Sequence, residues 1–367
     1  MAQLNEDVRM ICEKILGAAR PDEIFGLFSG SPDEILEARR KEYRKLSKKI
    51  HPDLNGNHDL AKKAFQQLSE MYAQAEGRGS SSHVDEEFEV PIQTRKANYI
   101  LRRLIAEEYS ELSDVYRGDY TEAGTVKPVV VKLVRNADDS DLVQNEVRVL
   151  QHLWSTSKSE LTRHLPTLID RFRTEDGKLG LVFEDLHEYV NLVQLHSAFP
   201  RGLDSVHLVW IMKRLLSVAG FAHGAGVTHC NICPEHILIR ARDHNLALID
   251  WSYGAIMPAK SGETFRVKNR LFSPPETSSS TTPKPQSDLY SIGLCGLYLA
   301  GGDVETKRFP ARLEPQLRQF LEGFLIPSSL HRVGDALEMH NQLETLIREK
   351  LHWPRKFHKL ELPTFAN

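Results

Sequence analysis

The stretch Arg39-Arg40-Lys41-Glu42-Tyr43-Arg44-Lys45-Leu46-Ser47-Lys48-Lys49-Ile50-His51-Pro52-Asp53 reads as a strongly basic helix that stops at a histidine. Pro52 disfavours helical angles at His51 and has no amide proton to continue the ladder, so a histidine, a rigid kink and a carboxylate are presented at a corner. Ile35, Arg39, Tyr43, Leu46 and Ile50 recur every three or four residues. That spacing sets Ile35, Tyr43, Leu46 and Ile50 on one face and Arg40, Arg44 and Lys48 on another. The helix is predicted to start near Pro32, after the turn Ser29-Gly30-Ser31-Pro32. Beyond the polar loop Asn55-Gly56-Asn57, Ala61, Ala64, Phe65, Leu68 and Tyr72 form the facing stripe of a further helix. Two antiparallel helices with a polar corner result. Upstream, Val8, Ile11, Ile15 and Leu16 predict a short amphipathic helix ahead of Arg20-Pro21.

A length of 367 residues and a hydrophobic fraction of 41% suit two or three globular domains. The formal net charge of -3 gives no global pull toward nucleic acid or an anionic membrane, and neither is expected as a partner. The seven Lys/Arg between Arg39 and Lys49 therefore count as a local patch. Cys12, Cys230, Cys233 and Cys295 are too few and too unevenly spaced for a disulfide framework. No apolar run reaches the length of a bilayer span or a signal segment, so a reducing cytoplasm is the expected location.

Tyr43 to Asp53, with Phe65 and Tyr72 downstream, resembles the J domain of DnaJ-type co-chaperones. The resemblance covers residues 21–76. It implies that the basic helix docks on a DnaK-type chaperone and that the tripeptide triggers ATP hydrolysis by that partner. Arg40, Arg44, Lys45 and Lys48 would supply docking charge, and His51, Pro52 and Asp53 the trigger. A cationic strip steers toward an acidic surface, and a rigid corner inserts side chains with little ordering cost. The plainer alternative is a solvated charged helix ended by a proline. Glu76-Gly77-Arg78-Gly79-Ser80-Ser81-Ser82 then turns small and polar, and residues 77–92 read as a flexible linker.

From about residue 93 strand-like patterns appear, and Pro128-Val129-Val130-Val131-Lys132-Leu133-Val134 is a buried-strand run carrying one lysine. An amphipathic helix with Glu146 follows, then Leu181 to Leu186, then Thr228-His229-Cys230-Asn231-Ile232-Cys233-Pro234-Glu235-His236, then Leu248-Ile249-Asp250-Trp251-Ser252. Singly, each has a dull reading: Lys132 a strand-edge residue, Asp250 a turn residue, Glu276 a surface charge. In this order and at these spacings they resemble a protein kinase domain over residues 93–350. The resemblance implies that Lys132 holds ATP phosphates, Glu146 is its ion-pair partner and Asp250 binds a metal ion, Mg²⁺ or Mn²⁺. Structural roles fall to Glu276 in Ser273-Pro274-Pro275-Glu276, Asp288 in the central helix of the helical lobe, and Arg332 as partner of Glu276. The expected fold is multidomain α+β: an N-terminal helix over 1–20, an all-α J domain with a helical hairpin over 21–76, then a bilobal kinase-like fold with a β-rich N-lobe and a helical C-lobe. Residues 351–367 form a C-terminal tail.

Fold does not carry activity. Where that family has its catalytic aspartate this chain has Asn231, an amide that cannot accept a proton near neutral pH. Cys233 stands at the loop lysine, and His236, a poor Mg²⁺ ligand, at the second metal-binding asparagine. If Val115-Tyr116 ends the glycine-rich loop, its glycine positions hold Glu108, Ser110 and Ser113. Trp251-Ser252 replaces Phe-Gly and removes a hinge glycine. Lys132, Glu146 and Asp250 are left either as a weak site for a nucleotide and one metal ion or as a structural ion cluster. His229, Cys230, Cys233 and His236 also have zinc-ligand types, but the kinase-like loop would spread them.

These readings favour a J-domain co-chaperone whose degenerate kinase-like domain, a pseudokinase, binds a client or partner. The alternative is an atypical ATP-dependent kinase or nucleotidyl transferase on the kinase scaffold.

Overall fold

Helical periodicity at the start of the chain and strand periodicity beyond it build two separate units, Met1–Glu86 and Glu87–Asn367. The computed structural model describes residues 5–18, 20–26, 35, 38, 39, 42, 43, 45, 46, 49, 50, 59–75, 89–106, 112–156, 160–269, 271–279, 281–354 and 356–363.

In the first unit lie α1 (Glu6–Gly17), α2 (Pro21–Phe25) and α3 (Asp59–Ala75). Pro21 opens α2 at the first helical position, where the missing amide proton costs nothing. The described residues from 35 to 50 are helical as well. Ile50 is buried with Ala61, Ala64 and Leu68 of α3, with Tyr43 and Leu46 packed alongside. The two apolar stripes thus meet face to face. Tyr43 stacks on Tyr72 with centroids 4.3 Å apart, and Phe25 meets Tyr72 edge-on at 5.9 Å. Cys12 and Ile15 of α1 enter the same core. Arg39 reaches Asp22 on α2 at 3.1 Å, so one cation of the basic run is tied inside the unit, while exposed Lys45 pairs with Glu42 at 3.0 Å. Arg40, Arg44, Lys48, His51, Pro52 and Asp53 lie outside the described residues, as do residues 76–88.

The second unit opens with β1 (Val90–Gln93), β2 (Asn98–Ala106), β3 (Ser113–Glu122), β4 (Thr125–Val134), β5 (Leu168–Arg173) and β6 (Leu179–Glu184). They form one antiparallel sheet in the order β1-β2-β3-β4-β6-β5. The linker expected to run to residue 92 is shorter than that: Val90 to Gln93 pair with Leu101 to Asn98. Their short, Pro-bearing and largely exposed sequence suits an edge strand, and for that reason it carries no strong strand signal. Alternation along β4 sends Val129 and Val131 into a small core with Tyr99, Leu101, Tyr120 and Val182. Lys132 and Val134 point the other way, toward α4 (Ser140–Thr156).

The helical lobe follows as β7 (Val190–Asn191), α5 (Leu192–Ala198), α6 (Ser205–Gly224), β8 (Val227–Thr228), β9 (Ile237–Arg240), β10 (Asn245–Leu248), β11 (Ala255–Ile256), α7 (Pro258–Ser261), α8 (Pro285–Leu299), α9 (Pro315–Glu322) and α10 (Ala336–Glu349). Strands β10-β9-β7 and β11-β8 make two small sheets at its top. Among the described residues α6 alone is long and apolar enough to span a bilayer by composition. It is apolar all round because it is the spine of this lobe, burying Leu208, Ile211, Leu215 and Val218. The tail expected after residue 350 folds back onto the lobe: Trp353 and Leu362 pack against the core and Leu360 is buried. Phe357 stacks on His244 at 4.1 Å, which stacks on Trp210 at 4.3 Å.

Candidate functional site

Strand β4 and helix α4 bring Lys132 and Glu146 together. Val143, Val147 and Leu150 hold one face of α4 in the core, and Glu146, one turn from Leu150 and Val143, is carried inward with them. Lys132 Nζ donates to Glu146 Oε2 at 2.8 Å, to Asp250 Oδ1 at 2.6 Å and to Ser252 Oγ at 2.8 Å. An ammonium has three protons, and each has a protein acceptor here. Burial works against the Lys132 charge, but Asp250 and Glu146 outweigh it and push the pKa above the ordinary lysine value.

Asp250 follows β10 in the left-handed region, with φ 59 and ψ 68, a conformation that a short polar side chain tolerates. Its Oδ1 takes Lys132 and also Ser252 Oγ, at 2.7 Å, and its Oδ2 lies 3.1 Å from His236 Nε2. Burial favours the neutral acid, yet Lys132 and His236 hold the carboxyl well below the usual carboxylate range. Ser252 Oγ also lies 3.1 Å from Glu146 Oε2, while the Trp251 amide donates to Glu146 Oε1 at 3.1 Å. Asn145 donates its amide to the carbonyls of Ser252 and Gly254, both at 2.9 Å. Trp251 is fully buried, and its indole N–H goes to the Leu248 carbonyl at 2.9 Å.

Around Asn231 the loop is braced from below. His229 Nε2 donates to the Ile249 carbonyl at 3.0 Å, and its Nδ1 accepts the Asn231 amide at 3.2 Å. Those bonds fix a neutral tautomer, and burial lowers the pKa to about 4, with His236 pushing the same way and Asp288 opposing. Asp288 on α8 accepts the backbone amides of His229 at 2.8 Å and Cys230 at 2.9 Å, plus His223 Nε2 at 3.0 Å. Farther down, Arg332 grips Glu276 with two parallel bonds of 2.8 and 3.0 Å. Its remaining donors go to the carbonyls of Gln286, Ile326 and Pro327. Burial pushes Glu276 up, but Arg332 outweighs it and holds the carboxyl below its ordinary value.

The structure thus brings Lys132, Glu146, Asp250 and His236 into one cluster, and keeps Asp288 and the pair Glu276–Arg332 as separate supports. Ser113 is buried; Glu108 and Ser110 lie outside the described residues. Two participants carry no such signal in the sequence: Asn145 stands out only by its place beside Glu146, and Ser252 only by the glycine it replaces.

The donor set does not fit a divalent cation. Mg²⁺ takes near-octahedral oxygen ligands at about 2.0–2.1 Å, whereas both oxygens of Asp250 already accept from Lys132, Ser252 and His236. Nor do the zinc-type residues converge: Cys230 Sγ turns to the Thr228 carbonyl at 3.4 Å, and His229 to Ile249. Among the described residues no group of three or more His, Cys, Asp or Glu is arranged to hold a metal ion.

Comparison with known proteins agrees with this architecture. A family model described as protein kinase domain matches residues 111–351, and one described as DnaJ domain matches residues 31–74. Serine/threonine-protein kinase F of Synechocystis sp. is 25% identical over 220 residues, 54% of this chain and 43% of that protein. Serine/threonine-protein kinase D of the same organism is 29% identical over 262 residues, 64% of this chain and 50% of that protein. Probable serine/threonine-protein kinase FMP48 of Saccharomyces cerevisiae is 26% identical over 203 residues, 49% and 53% of the two chains. The match thus spans 43% to 53% of the length of these relatives.

Proposed function

We propose, from the premise that this chain belongs to the protein kinase family and carries a DnaJ domain ahead of its kinase domain, that it is a J-domain co-chaperone. In this reading it recruits a DnaK-type chaperone and stimulates its ATPase, and the kinase domain serves to bind a client or partner. The observation that carries it is a sequence that keeps His51-Pro52-Asp53 unaltered yet has Asn231 and His236 where phosphoryl transfer needs a proton acceptor and an oxygen ligand. The surroundings of Asp250 support it, because Lys132 has a protein acceptor for each of its protons. Four free, buried cysteines suit a reducing compartment, and we place the protein in the cytoplasm. Purified protein is expected to raise the ATPase rate of a cognate DnaK-type chaperone, and His51→Gln to remove the effect. No stimulation across several cognate chaperones would sink the reading.

A second reading has its own support: the relatives are named serine/threonine kinases, and Lys132–Glu146 is formed. Under it the chain is an atypical ATP-dependent transferase that uses ATP with Mg²⁺ or Mn²⁺. Label transfer from ATP that disappears in both Lys132→Met and Asp250→Ala would establish it.

A further inference from the structure

His236 presents both ring nitrogens to acceptors. Nδ1 lies 2.9 Å from the Asn231 carbonyl oxygen, and Nε2 lies 3.1 Å from Asp250 Oδ2. A ring proton on Nε2 gives Asp250 Oδ2 its donor. Cys233 Sγ stands 3.2 Å from Nδ1. The ring is largely buried, with 16% of its side chain exposed.

We propose that His236 is a built-in donor to Asp250, standing where a divalent ion would otherwise sit, so that the cleft has no metal requirement. A ring nitrogen that gives its proton to Asp250 has no lone pair to give a metal. Lys132 and Ser252 take one oxygen of Asp250 and His236 the other. The carboxylate is engaged on both sides without an ion. Its role becomes that of a clasp between β4 and α4 on one side and the loop bearing Asn231 and His236 on the other. A nucleotide entering this cleft meets Asp250 with both of its oxygens already engaged by protein donors. The inference rests on the reading of the kinase domain as non-transferring, while the chaperone ATPase assay reads the DnaJ domain and is unaffected by either outcome below.

The test is a titration of the full chain with a fluorescent ADP analogue, in EDTA and in excess Mg²⁺. In the natural protein Mg²⁺ is expected to change the affinity less than about twofold, or binding is expected to be absent in both conditions. His236→Asn restores the residue of the kinase family at that position and leaves Asp250 Oδ2 open. It should make binding Mg²⁺-dependent by roughly tenfold or more, and adding Asp250→Ala should remove that gain. Thermal melts of each variant show that it is folded. Tightening of tenfold by Mg²⁺ in the natural protein overturns the proposal, and so does a folded His236→Asn variant with no Mg²⁺ response.

Discussion

Ser252 Oγ stands 2.7 Å from Asp250 Oδ1, so the residue at the position of the hinge glycine is bonded to the very carboxylate that a hinge would swing. The hydroxyl also receives Lys132 at 2.8 Å and faces Glu146 Oε2 at 3.1 Å. A glycine in this place would leave the segment after Asp250 free to rotate. Serine fastens it to three charged side chains from both lobes.

Ser252→Ala should therefore cost about 1–3 kcal/mol, the usual penalty for removing one partner from a buried polar set. Ser252→Gly should cost more, because it adds backbone freedom to the unfolded chain. Thermal melts of both variants against the natural protein check the order; equal melting temperatures for all three would refute it.

Much of this cluster is legible in the sequence, and some is not, for a physical reason. Lys132, Glu146, Asp250, Glu276, Asp288 and Arg332 are residue types that the interior tolerates only in pairs or networks. Their order along the chain is therefore informative. What Asn145 and Ser252 do is not encoded in residue type, since amides and hydroxyls are common everywhere and most of the partners that bind them into this cluster lie 106 to 120 residues away in sequence. His236 was legible as a poor Mg²⁺ ligand, but its bond to Asp250 depends on how the loop places it. Strand β1 escaped because an exposed, Pro-bearing edge strand and a linker look alike.

Arg332→Ala is expected to destabilise the kinase domain by about 3–5 kcal/mol, since among the described residues it leaves Glu276 charged and half-buried with Ser287 as its side-chain partner. Arg332→Lys should recover little, because one ammonium cannot hold two carboxylate oxygens and the carbonyls of Gln286, Ile326 and Pro327 together. Denaturant unfolding measures both, and a lysine variant as stable as the natural protein would contradict this account.

The pH dependence follows from His229. Its folded pKa, about 4, lies below the unfolded value. Between the two values the unfolded chain binds the extra proton, so stability is complete above about pH 6.5 and falls as pH drops toward 4, by up to roughly 3 kcal/mol. Melting temperatures followed from neutral pH downward should decline more steeply in the natural protein than in His229→Asn. Parallel curves would show that His229 is not the group responsible.

In the first unit, Tyr72→Ala removes the ring that stacks on Tyr43 and meets Phe25. A loss of about 1–3 kcal/mol is expected, from the aromatic pairs and the half-buried ring. On the co-chaperone reading, chaperone stimulation should fall with it, as the helix leading to His51 loses its support. Unchanged stimulation in a variant shown by circular dichroism to be destabilised would separate the two.

Asn231→Asp alone should not create phosphoryl transfer, because His236 and Lys132 still hold Asp250. Radiolabelled transfer from ATP is expected, if anywhere, in Asn231→Asp combined with His236→Asn. Turnover by the single variant would refute the account of the cleft.

The clasp around Asp250 also sets an order of events during synthesis. Lys132 emerges 118 residues before Asp250, and no nearer residue replaces that bond. Until the second half of the kinase domain has left the ribosome, the early strands and α4 carry a lysine and a glutamate whose later partners do not yet exist. Contacts this distant slow folding, and parts of a chain made first wait for those made last. The cluster that joins the early strands and α4 to the later loop can close only once the chain has been made through Ser252.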